Sequence, residues 1–122
     1  FNSELVWDTS SVTKMGGTFY GADAFNSELD WDTSSVTTME DTFNGAVAFN
    51  APLDWDTSQV TTMHYCFSTA EAFNQDISKW DMSQVVTTMK MFSGAAAFNQ
   101  DISKWNISTK YWNANDRHCL DI

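Results

Sequence analysis

Four consecutive copies of one segment of 24 or 25 residues make up most of this chain, and a fifth copy begins after them. The four copies are residues 1–24, 25–48, 49–72 and 73–97. Self-similarity at this period indicates that one supersecondary unit is stacked on itself, so that each copy buries the apolar side of its neighbour. We therefore expect a single domain over residues 1–122, with residues 98–122 as a terminal coil and cap. Because arrays of this kind usually carry a polar cap before their first repeat, we also expect a fragment of a longer protein.

The first half of each repeat alternates apolar and polar residues. In the second copy Phe25, Leu29 and Trp31 share one parity, and the residues between them are mostly polar. This period of two predicts a short strand. Equivalent strands of successive repeats would lie about 4.8 Å apart and form one parallel sheet along the array.

The second half of each repeat has a helical spacing. Its apolar residues lie at i, i+3, i+7 and i+10, and in the second copy they are Val36, Met39, Phe43 and Ala46. This stripe predicts a short helix or 3₁₀ turn. The residues that follow it, where a left-handed conformation commonly ends a helix, are Gly21, Gly45, Thr69 and Gly94. We predict an α/β repeat solenoid of the leucine-rich-repeat type, with one short strand and one short helix or 3₁₀ turn per coil; a parallel β-helix is the alternative.

The fourth copy departs from the common pattern. One residue is added between Ile77 and Trp80, so we expect a bulge at residues 78–79. Aligning the fourth copy on its Val-Thr-Thr-Met string places Val86 and Met89 on the buried stripe. That alignment requires a second added residue before Val86 and a lost residue after Met89.

The net charge limits the kinds of partner that the chain can attract. Sixteen Asp and Glu residues stand against six Lys and Arg residues, which gives a formal net charge of -10. This charge repels nucleic acid and anionic membrane surfaces, so divalent cations and basic protein surfaces are the expected charged partners. No apolar run approaches the roughly 20 residues of a membrane-spanning helix, and we expect no such segment.

The string FNQDISKWDMSQVVTTMKMFSGAAAFNQDISKW resembles the BspA-like leucine-rich repeats of bacterial and protist surface proteins. These include a related repeat of unknown function that is abundant in mycoplasma lipoproteins. The resemblance covers residues 1–105. It implies an extracellular or cell-surface interaction module, often part of an adhesin, with no shared ligand and no catalytic residues. A subunit of an intracellular or organellar assembly is the alternative location.

Two residue types recur once per repeat as expected structural ladders. The tryptophans are Trp7, Trp31, Trp55, Trp80 and Trp105. Their parity predicts packing in the core rather than a platform for sugars. The asparagines are Asn2, Asn26, Asn50, Asn74 and Asn99. Each precedes a predicted strand, where an amide can bond backbone groups of its own coil and of the next one.

Carboxylates recur in two rows. The first row follows the tryptophans and consists of Asp8, Asp32, Asp56 and Asp81. We expect these residues to be helix N-caps, with weak calcium binding as the alternative because stacked carboxylates repel one another. The second row lies on the outward strand face and consists of Glu4, Glu28, Asp30, Asp54, Asp76 and Asp101. This acidic face is the predicted contact surface, and a merely solubilising face is the alternative.

Other constellations carry less chemistry. The residues of soft-metal type are His64, Cys66, His118 and Cys119. Because the two pairs lie two coils, or about 9.6 Å, apart, we expect neither a zinc site nor a disulfide. The recurring threonines Thr13, Thr37, Thr61 and Thr87 lack the paired pattern of ice-binding surfaces, so ice binding is a remote alternative.

Nothing in the sequence indicates catalysis. There is no phosphate-binding glycine loop and no nucleophile elbow, and the carboxylates form rows, whereas an active site is normally a single asymmetric arrangement. We therefore expect no enzyme and no cofactor. The leading interpretation is a non-enzymatic adhesion or protein-interaction module; the alternative is a structural building block of a larger assembly. The first coil has no polar cover, so we expect preceding repeats or a partner protein on its exposed core residues, which are Leu5, Trp7, Val12, Met15 and Phe19.

Overall fold

The computed structural model describes residues 7–107. Over this range there is no helix and no continuous strand. Regular backbone pairing is limited to three parallel bridges, Lys14 to Thr38, Thr38 to Thr62 and Thr62 to Thr87. The predicted α/β solenoid with one strand and one helix per coil is therefore wrong, as are the single parallel sheet and the parallel β-helix. It also follows that this part of the chain has no helix long and apolar enough to cross a membrane.

The repeats instead form a stack of coils built from extended segments and tight turns. We number the coils along the chain. Coil 1 comprises residues 7–24, coil 2 residues 25–48, coil 3 residues 49–72, coil 4 residues 73–97, and coil 5 begins with residues 98–107. Backbone hydrogen bonds join each coil to the next, so N–H groups of one repeat find their acceptors in a neighbouring repeat.

Alternate N–H groups in the second half of each coil bond in different directions. One set donates three residues back within the coil; in coil 2 the pairs are Thr42 to Met39, Asn44 to Asp41 and Ala46 to Phe43, at 3.0–3.3 Å. The other set donates to carbonyls of the following coil; in coil 2 the pairs are Met39 to Thr62, Asp41 to His64, Phe43 to Cys66 and Gly45 to Ser68, at 2.8–3.1 Å. An α-helix would direct every N–H four residues back. The segment is thus a series of three successive turns.

The same segment reverses its backbone twice. Asp41 has a φ of 57° and Gly45 a φ of 77°. A left-handed residue at these points interrupts any right-handed helix. The predicted buried stripe is nevertheless correct, because Val36, Phe43 and the other two residues of that stripe are fully buried. Turns that close over three residues repeat their inward side chains at nearly the helical spacing, which is why the sequence indicated a helix.

The first half of each coil shows the predicted alternation without the predicted strand. Residues 25–33 and 49–57 alternate strictly between buried and exposed side chains. Equivalent rings are nearly parallel, and their centroids lie 5.7 Å apart for Phe25 and Phe49 and 6.2 Å apart for Trp31 and Trp55. Side chains join these segments, since Asn50 N donates to Asn26 Oδ1 at 2.8 Å and Trp55 Nε1 donates to Leu29 O at 3.1 Å.

The core is a set of aromatic columns that run along the stack. One column is Phe25, Phe49, Phe73 and Phe98; a second is Phe19, Phe43, Phe67 and Phe92. The two columns contact each other, with centroids 4.4 Å apart for Phe43 and Phe49. Offset stacking of this kind is favourable beyond the burial of apolar area. The columns give every interior coil the same two packing faces.

Coil 4 keeps the common register after its single added residue. Val85 and Thr88 are buried, whereas Val86 is 41% and Met89 48% exposed. The N–H of Val86 donates to Thr61 O at 2.8 Å, as the N–H of Thr61 does to Thr37 O one coil earlier. The alignment that placed Val86 and Met89 in the core is therefore wrong. Placing Thr88 at a core position disturbs coil 4 less than shifting all of its hydrogen bonds to coil 3 would.

The added residue is accommodated in a turn. Residues 78–79 form this turn, which is closed by a hydrogen bond from Trp80 N to Ile77 O at 3.1 Å. Coil 5 repeats it with a bond from Trp105 N to Ile102 O at 3.1 Å. The expected bulge is absent from this segment because a bulge requires a strand pair, which the segment does not have.

Candidate functional site

The asparagine row replaces a backbone ladder between the extended segments. Asn50 N donates to Asn26 Oδ1 at 2.8 Å, and Asn50 Oδ1 in turn accepts from Asn74 N at 2.8 Å. Asn74 Oδ1 accepts from Asn99 N at 2.9 Å. Asn2 lies outside the described residues. Since each amide oxygen in the interior of the row is engaged by the backbone of the next coil, this row belongs to the scaffold.

Two glutamines that the sequence analysis missed reinforce this row. Gln75 Nε2 donates to Asn50 O at 2.8 Å and to Asn50 Oδ1 at 3.1 Å. Gln100 Nε2 makes the same pair of bonds to Asn74, each at 3.0 Å. The signal that could have revealed them is the change from Ser or Ala to Gln at this position in the fourth and fifth copies.

The tryptophan row is buried in its interior and open at its ends. Trp31, Trp55 and Trp80 are buried, whereas Trp7 is 61% exposed and Trp105 is half-buried. The indole N–H of an interior tryptophan donates to a carbonyl of the preceding coil, as Trp55 Nε1 does to Leu29 O at 3.1 Å. The predicted burial is therefore wrong for Trp7, because that ring has a neighbour in the described structure on one side only.

The aspartates that follow the tryptophans close local turns. Oδ1 of Asp32 accepts from Ser34 N at 3.0 Å and from Ser34 Oγ at 2.6 Å. The pairs Asp8 with Ser10 and Asp56 with Ser58 repeat this arrangement. Hydrogen bonds from the serine hydroxyl and then from the serine N–H lower the pKa of Asp8, Asp32 and Asp81. The expected helix N-caps are wrong because there is no helix here to cap, and these residues form Asx turns instead.

A threonine row beside these aspartates was also missed. Thr33 Oγ1 donates to Asp56 O at 3.0 Å, and Thr9 and Thr57 donate to the following coil in the same way. In coil 4 this position is Met82, whose N–H donates to Asn106 Oδ1 at 2.8 Å. The recurring string Asp-Thr-Ser carries the signal, because a buried hydroxyl after each aspartate needs a partner.

The outward carboxylates divide into two groups. Asp76 and Asp101 accept from the N–H groups of Ser78 and Ser103 at 2.9 Å, and these serines lower the pKa of both carboxyls. Three other carboxylates are exposed and accept no hydrogen bond from any residue between 7 and 107; they are Glu28, Asp30 and Asp54. We call these three residues the acidic side. Glu4, predicted to belong to it, lies outside the described residues.

The acidic side is confined to coils 2 and 3. In coils 4 and 5, Lys79 and Lys104 lie in the turn at which the row of Asp30 and Asp54 would continue. Both lysines are exposed. The predicted acidic face therefore changes to a mixed face halfway along the stack.

The described residues show no arrangement typical of metal binding or ice binding. Among residues 7–107 no group of three or more His, Cys, Asp and Glu side chains could hold a metal ion. Cys66 is a free thiol in the core, where burial raises its pKa; His118 and Cys119 lie outside the described residues. The Thr37 and Thr61 hydroxyls donate to carbonyls of the preceding coil at 3.0 and 3.1 Å. They are thus part of the stack rather than a free hydroxyl array.

The two ends of the stack differ in hydrogen-bonding character. Within the described residues, four carbonyls of coil 1 accept no hydrogen bond, those of Lys14, Gly16, Thr18 and Tyr20. Four N–H groups of coil 4 likewise have no acceptor in this range, those of Thr88, Lys90, Phe92 and Gly94. One end therefore presents acceptors, and coil 4 presents donors toward the other end.

The expected exposure of the first coil is only partly correct. Trp7 is exposed and Val12 is half-buried, but Met15 and Phe19 are buried. Phe19 is covered by Phe25, whose ring centroid lies 4.4 Å away. Leu5 lies outside the described residues. The apolar surface that the described part of coil 1 exposes is therefore smaller than the sequence predicted.

Comparison with known proteins identifies a family but no characterised relative. No curated protein and no solved structure matches the chain. The family described as Mycoplasma protein of unknown function, DUF285, matches residues 1–54 and residues 29–116. The overlap of these two matches agrees with the internal repetition of the sequence. The chain belongs to this Mycoplasma repeat family of unknown function, DUF285.

Proposed function

We propose that the chain is a non-enzymatic protein-interaction module, in which the acidic side receives a basic protein surface. The observation that carries this proposal is the freedom of Glu28, Asp30 and Asp54. These carboxylates are exposed and bond to no described residue, whereas the asparagine, tryptophan and Asp-Thr-Ser rows around them hold the stack together.

The scaffold supports this role because it fixes the backbone from which the carboxylates project. Asp30 precedes the buried Trp31, and Asp54 precedes the buried Trp55, whose indole is hydrogen-bonded to coil 2. The two tryptophan rings are nearly parallel, so the two aspartates stand at equivalent positions of neighbouring coils. A pair of like charges on a fixed backbone favours a partner with matching cationic groups.

The proposed location is the cell surface or the extracellular space. It is supported by the resemblance to BspA-like repeats of surface proteins and by the description of the matching family as a Mycoplasma protein. Labelling of intact source cells with an antibody to this repeat tests the location. Signal only after permeabilisation would overturn it.

Binding to a lysine-rich test peptide, followed by fluorescence anisotropy, tests the acidic side. The double variant Asp30→Asn/Asp54→Asn should weaken binding about 2- to 30-fold, because each of the two exposed ion pairs contributes about 0.2–1 kcal/mol. The matched control is Asp23→Asn/Glu71→Gln, which removes the same charge from exposed positions elsewhere on the stack. Equal weakening by both variants would show that only net charge matters and would overturn the proposal.

A structural building block of a larger assembly is the second candidate. It is favoured by coil 1, where Trp7 is exposed and the carbonyls of Lys14 and Gly16 accept no hydrogen bond from the described residues. Interior coils bury the equivalent groups against a neighbour.

A further inference from the structure

One pair of adjacent positions changes in every repeat, although most of the repeat is constant. In the register that the structure sets, the pair reads Gly16-Gly17, Glu40-Asp41, His64-Tyr65 and Met89-Lys90 in the four copies. No other adjacent pair differs in all four copies. A turn that varies on a constant scaffold has the arrangement of a binding surface, because specificity requires side chains that differ from place to place.

Backbone hydrogen bonds place these pairs side by side. In each of three junctions the N–H of the second residue donates to the carbonyl of the first residue in the next coil. These bonds are Gly17 to Glu40 at 2.9 Å, Asp41 to His64 at 3.1 Å and Tyr65 to Met89 at 3.0 Å. The pairs therefore form a continuous row, whose side chains come from coils 2–4 because coil 1 has glycine at both positions. We call these residues the variable ridge, which consists of Glu40, Asp41, His64, Tyr65, Met89 and Lys90.

The second residue of each pair has a left-handed backbone. Its φ is 69° at Gly17, 57° at Asp41 and at Tyr65, and 51° at Lys90. Glycine adopts this conformation without steric cost, whereas a residue with a Cβ atom is strained there. Coils 2–4 thus hold larger side chains at a position that accepts glycine in coil 1. Strain of this kind concentrates at functional sites.

The coil 2 end of the ridge is anionic. Glu40 and Asp41 are half-buried, and each carboxylate uses one oxygen within the stack. Glu40 Oε2 accepts from Thr62 Oγ1 at 2.9 Å, and Asp41 Oδ1 accepts from Asn44 Nδ2 at 2.8 Å. The second oxygen of each carboxylate accepts no hydrogen bond from any residue between 7 and 107. Both carboxylates are therefore held by one oxygen and can receive a donor on the other.

The ridge becomes aromatic in coil 3 and then apolar and cationic in coil 4. The rings of His64 and Tyr65 meet edge to face, with centroids 5.8 Å apart. Met89 is 48% exposed. Lys90 beside it is exposed as well, and its ammonium bonds to no residue in the described range. The sign of charge thus reverses along the ridge, with aromatic and apolar groups between the two ends.

We propose that the variable ridge is a second docking surface, which binds an extended segment of a partner protein. The segment carries a cationic side chain over coil 2, an aromatic one over coil 3 and a carboxylate over coil 4. Charge complementarity favours this occupant over a segment with one sign of charge, since only a bipolar segment matches both ends of the ridge. The proposal goes beyond the acidic side and uses none of its residues, so the two proposals fail independently.

The spacing of the coils fits such a segment. Parallel bridges join coils 1–4 two residues before the ridge, so neighbouring coils lie about 4.8 Å apart there. Alternate residues of an extended peptide lie about 6.6 Å apart and point to one side. Long lysine and glutamate side chains at the two ends of the peptide span the difference. A blocked peptide Lys-Gly-Phe-Gly-Glu therefore presents its three side chains to three successive coils.

Titration of the ¹⁵N-labelled 122-residue chain with this peptide, followed by NMR, tests the ridge. We expect changes in the amide shifts of the ridge residues and none at Asp30 and Asp54. Lys90→Glu should weaken binding about 2- to 30-fold, because an exposed ion pair becomes a pair of like charges. The matched control Lys79→Glu makes the same change of charge at another exposed position of coil 4 and should leave binding unchanged. Shift changes away from the ridge, no shift changes, or equal weakening by both variants would overturn the proposal.

Glycine substitution separates binding from stability. Lys90→Gly relieves the left-handed strain, so it should not lower the midpoint of urea unfolding, but it should weaken peptide binding by removing the ammonium. Thr69→Gly relieves strain of the same kind at a different turn and should leave binding unchanged. Full affinity in Lys90→Gly, or an equal loss of affinity in Thr69→Gly, would show that the ridge does not contact the peptide.

Discussion

Thr69 and Gly94 occupy the same turn position in successive coils, and both have a left-handed backbone, with φ of 53° and 74°. A Cβ atom on Gly94 would lie 3.1 Å from Thr69 Cγ2. Three of the four coils use glycine here, and only Thr69 is a β-branched residue. Because a β-branched side chain is strongly disfavoured at positive φ, Thr69 is a strained position in the stack.

Replacing Thr69 by glycine should therefore stabilise the protein. Relief of the left-handed strain contributes about 1–2 kcal/mol, and the greater freedom of glycine in the unfolded chain offsets about 0.5–1 kcal/mol. The exposed bond from Thr69 Oγ1 to Asn44 Oδ1 at 3.2 Å is lost as well. We expect a small rise in the midpoint of urea unfolding for Thr69→Gly. Gly94→Thr should lower the midpoint; a fall in both variants would contradict the strain argument.

The asparagine row predicts a position-dependent effect of removing an amide. Asn50→Ala leaves the N–H of Asn74 without its acceptor and removes one of the two bonds of the Gln75 amide, which should destabilise the fold by about 1–3 kcal/mol. Asn50→Asp keeps an acceptor and should lose much less. Asn99→Ala is a further control, since its Oδ1 accepts no bond from the described residues. Chemical denaturation of the three variants measures the difference, and equal losses at positions 50 and 99 would argue against the row.

Ser27 is a buried residue whose hydroxyl has no hydrogen-bond partner among the described residues. The equivalent residue in coil 3 is Ala51, which is buried as well. Ser27→Ala should raise stability by about 1 kcal/mol, because an unsatisfied buried hydroxyl is removed. The reciprocal change Ala51→Ser should lower stability by a similar amount. Thermal unfolding of both variants measures this pair, and a loss of stability in Ser27→Ala would indicate that the hydroxyl is satisfied.

Tryptophans at equivalent positions of different coils should differ in their contribution to stability. Trp55 is 6% exposed, stacks on Trp31 and donates to Leu29 O. Trp55→Ala should therefore cost about 3–5 kcal/mol. Trp7→Ala removes a largely exposed side chain and should change stability by about 0.5 kcal/mol or less in the monomer. Urea unfolding compares the two variants, and similar losses would contradict the finding that the interior tryptophans are buried and Trp7 is not.

The serine bonds predict an acid-dependent loss of stability. The pKa of Asp32 is lowered by the hydroxyl and N–H of Ser34. A carboxyl whose folded pKa lies below its unfolded value of about 3.9 stabilises the fold above that value. This stabilisation is lost as pH falls through the folded pKa. Ser34→Ala should raise the pKa of Asp32, measured by carbon NMR titration of its carboxyl, and should leave the pKa of Asp76 unchanged as an internal control.

The sequence by itself determined the period, the parity and the buried stripe. Phe25, Leu29 and Trp31 face inward, as do Val36 and Phe43, because the preference of an apolar side chain for the core is a local property that survives any backbone arrangement of the right period. The stacking of the repeats follows from the same recurrence. The acidic side was also predictable, since outward parity alone exposes Asp30 and Asp54.

The tertiary structure decided what the backbone does with that pattern. In a helix, the N–H of Phe43 would bond to a carbonyl of its own coil. In this structure it donates to the Cys66 carbonyl of coil 3, and only the placement of coil 3 makes that bond available. Coil 4 shows the same dependence, because Val85 rather than Val86 is buried once its hydrogen bonds to coil 3 set the register. Trp7 and Trp55 are each followed by Asp-Thr-Ser, yet Trp7 is exposed and Trp55 is buried. Burial and hydrogen bonding depend on the surrounding coils. Repeats with similar sequences therefore differ in both where one side has no neighbouring coil among the described residues.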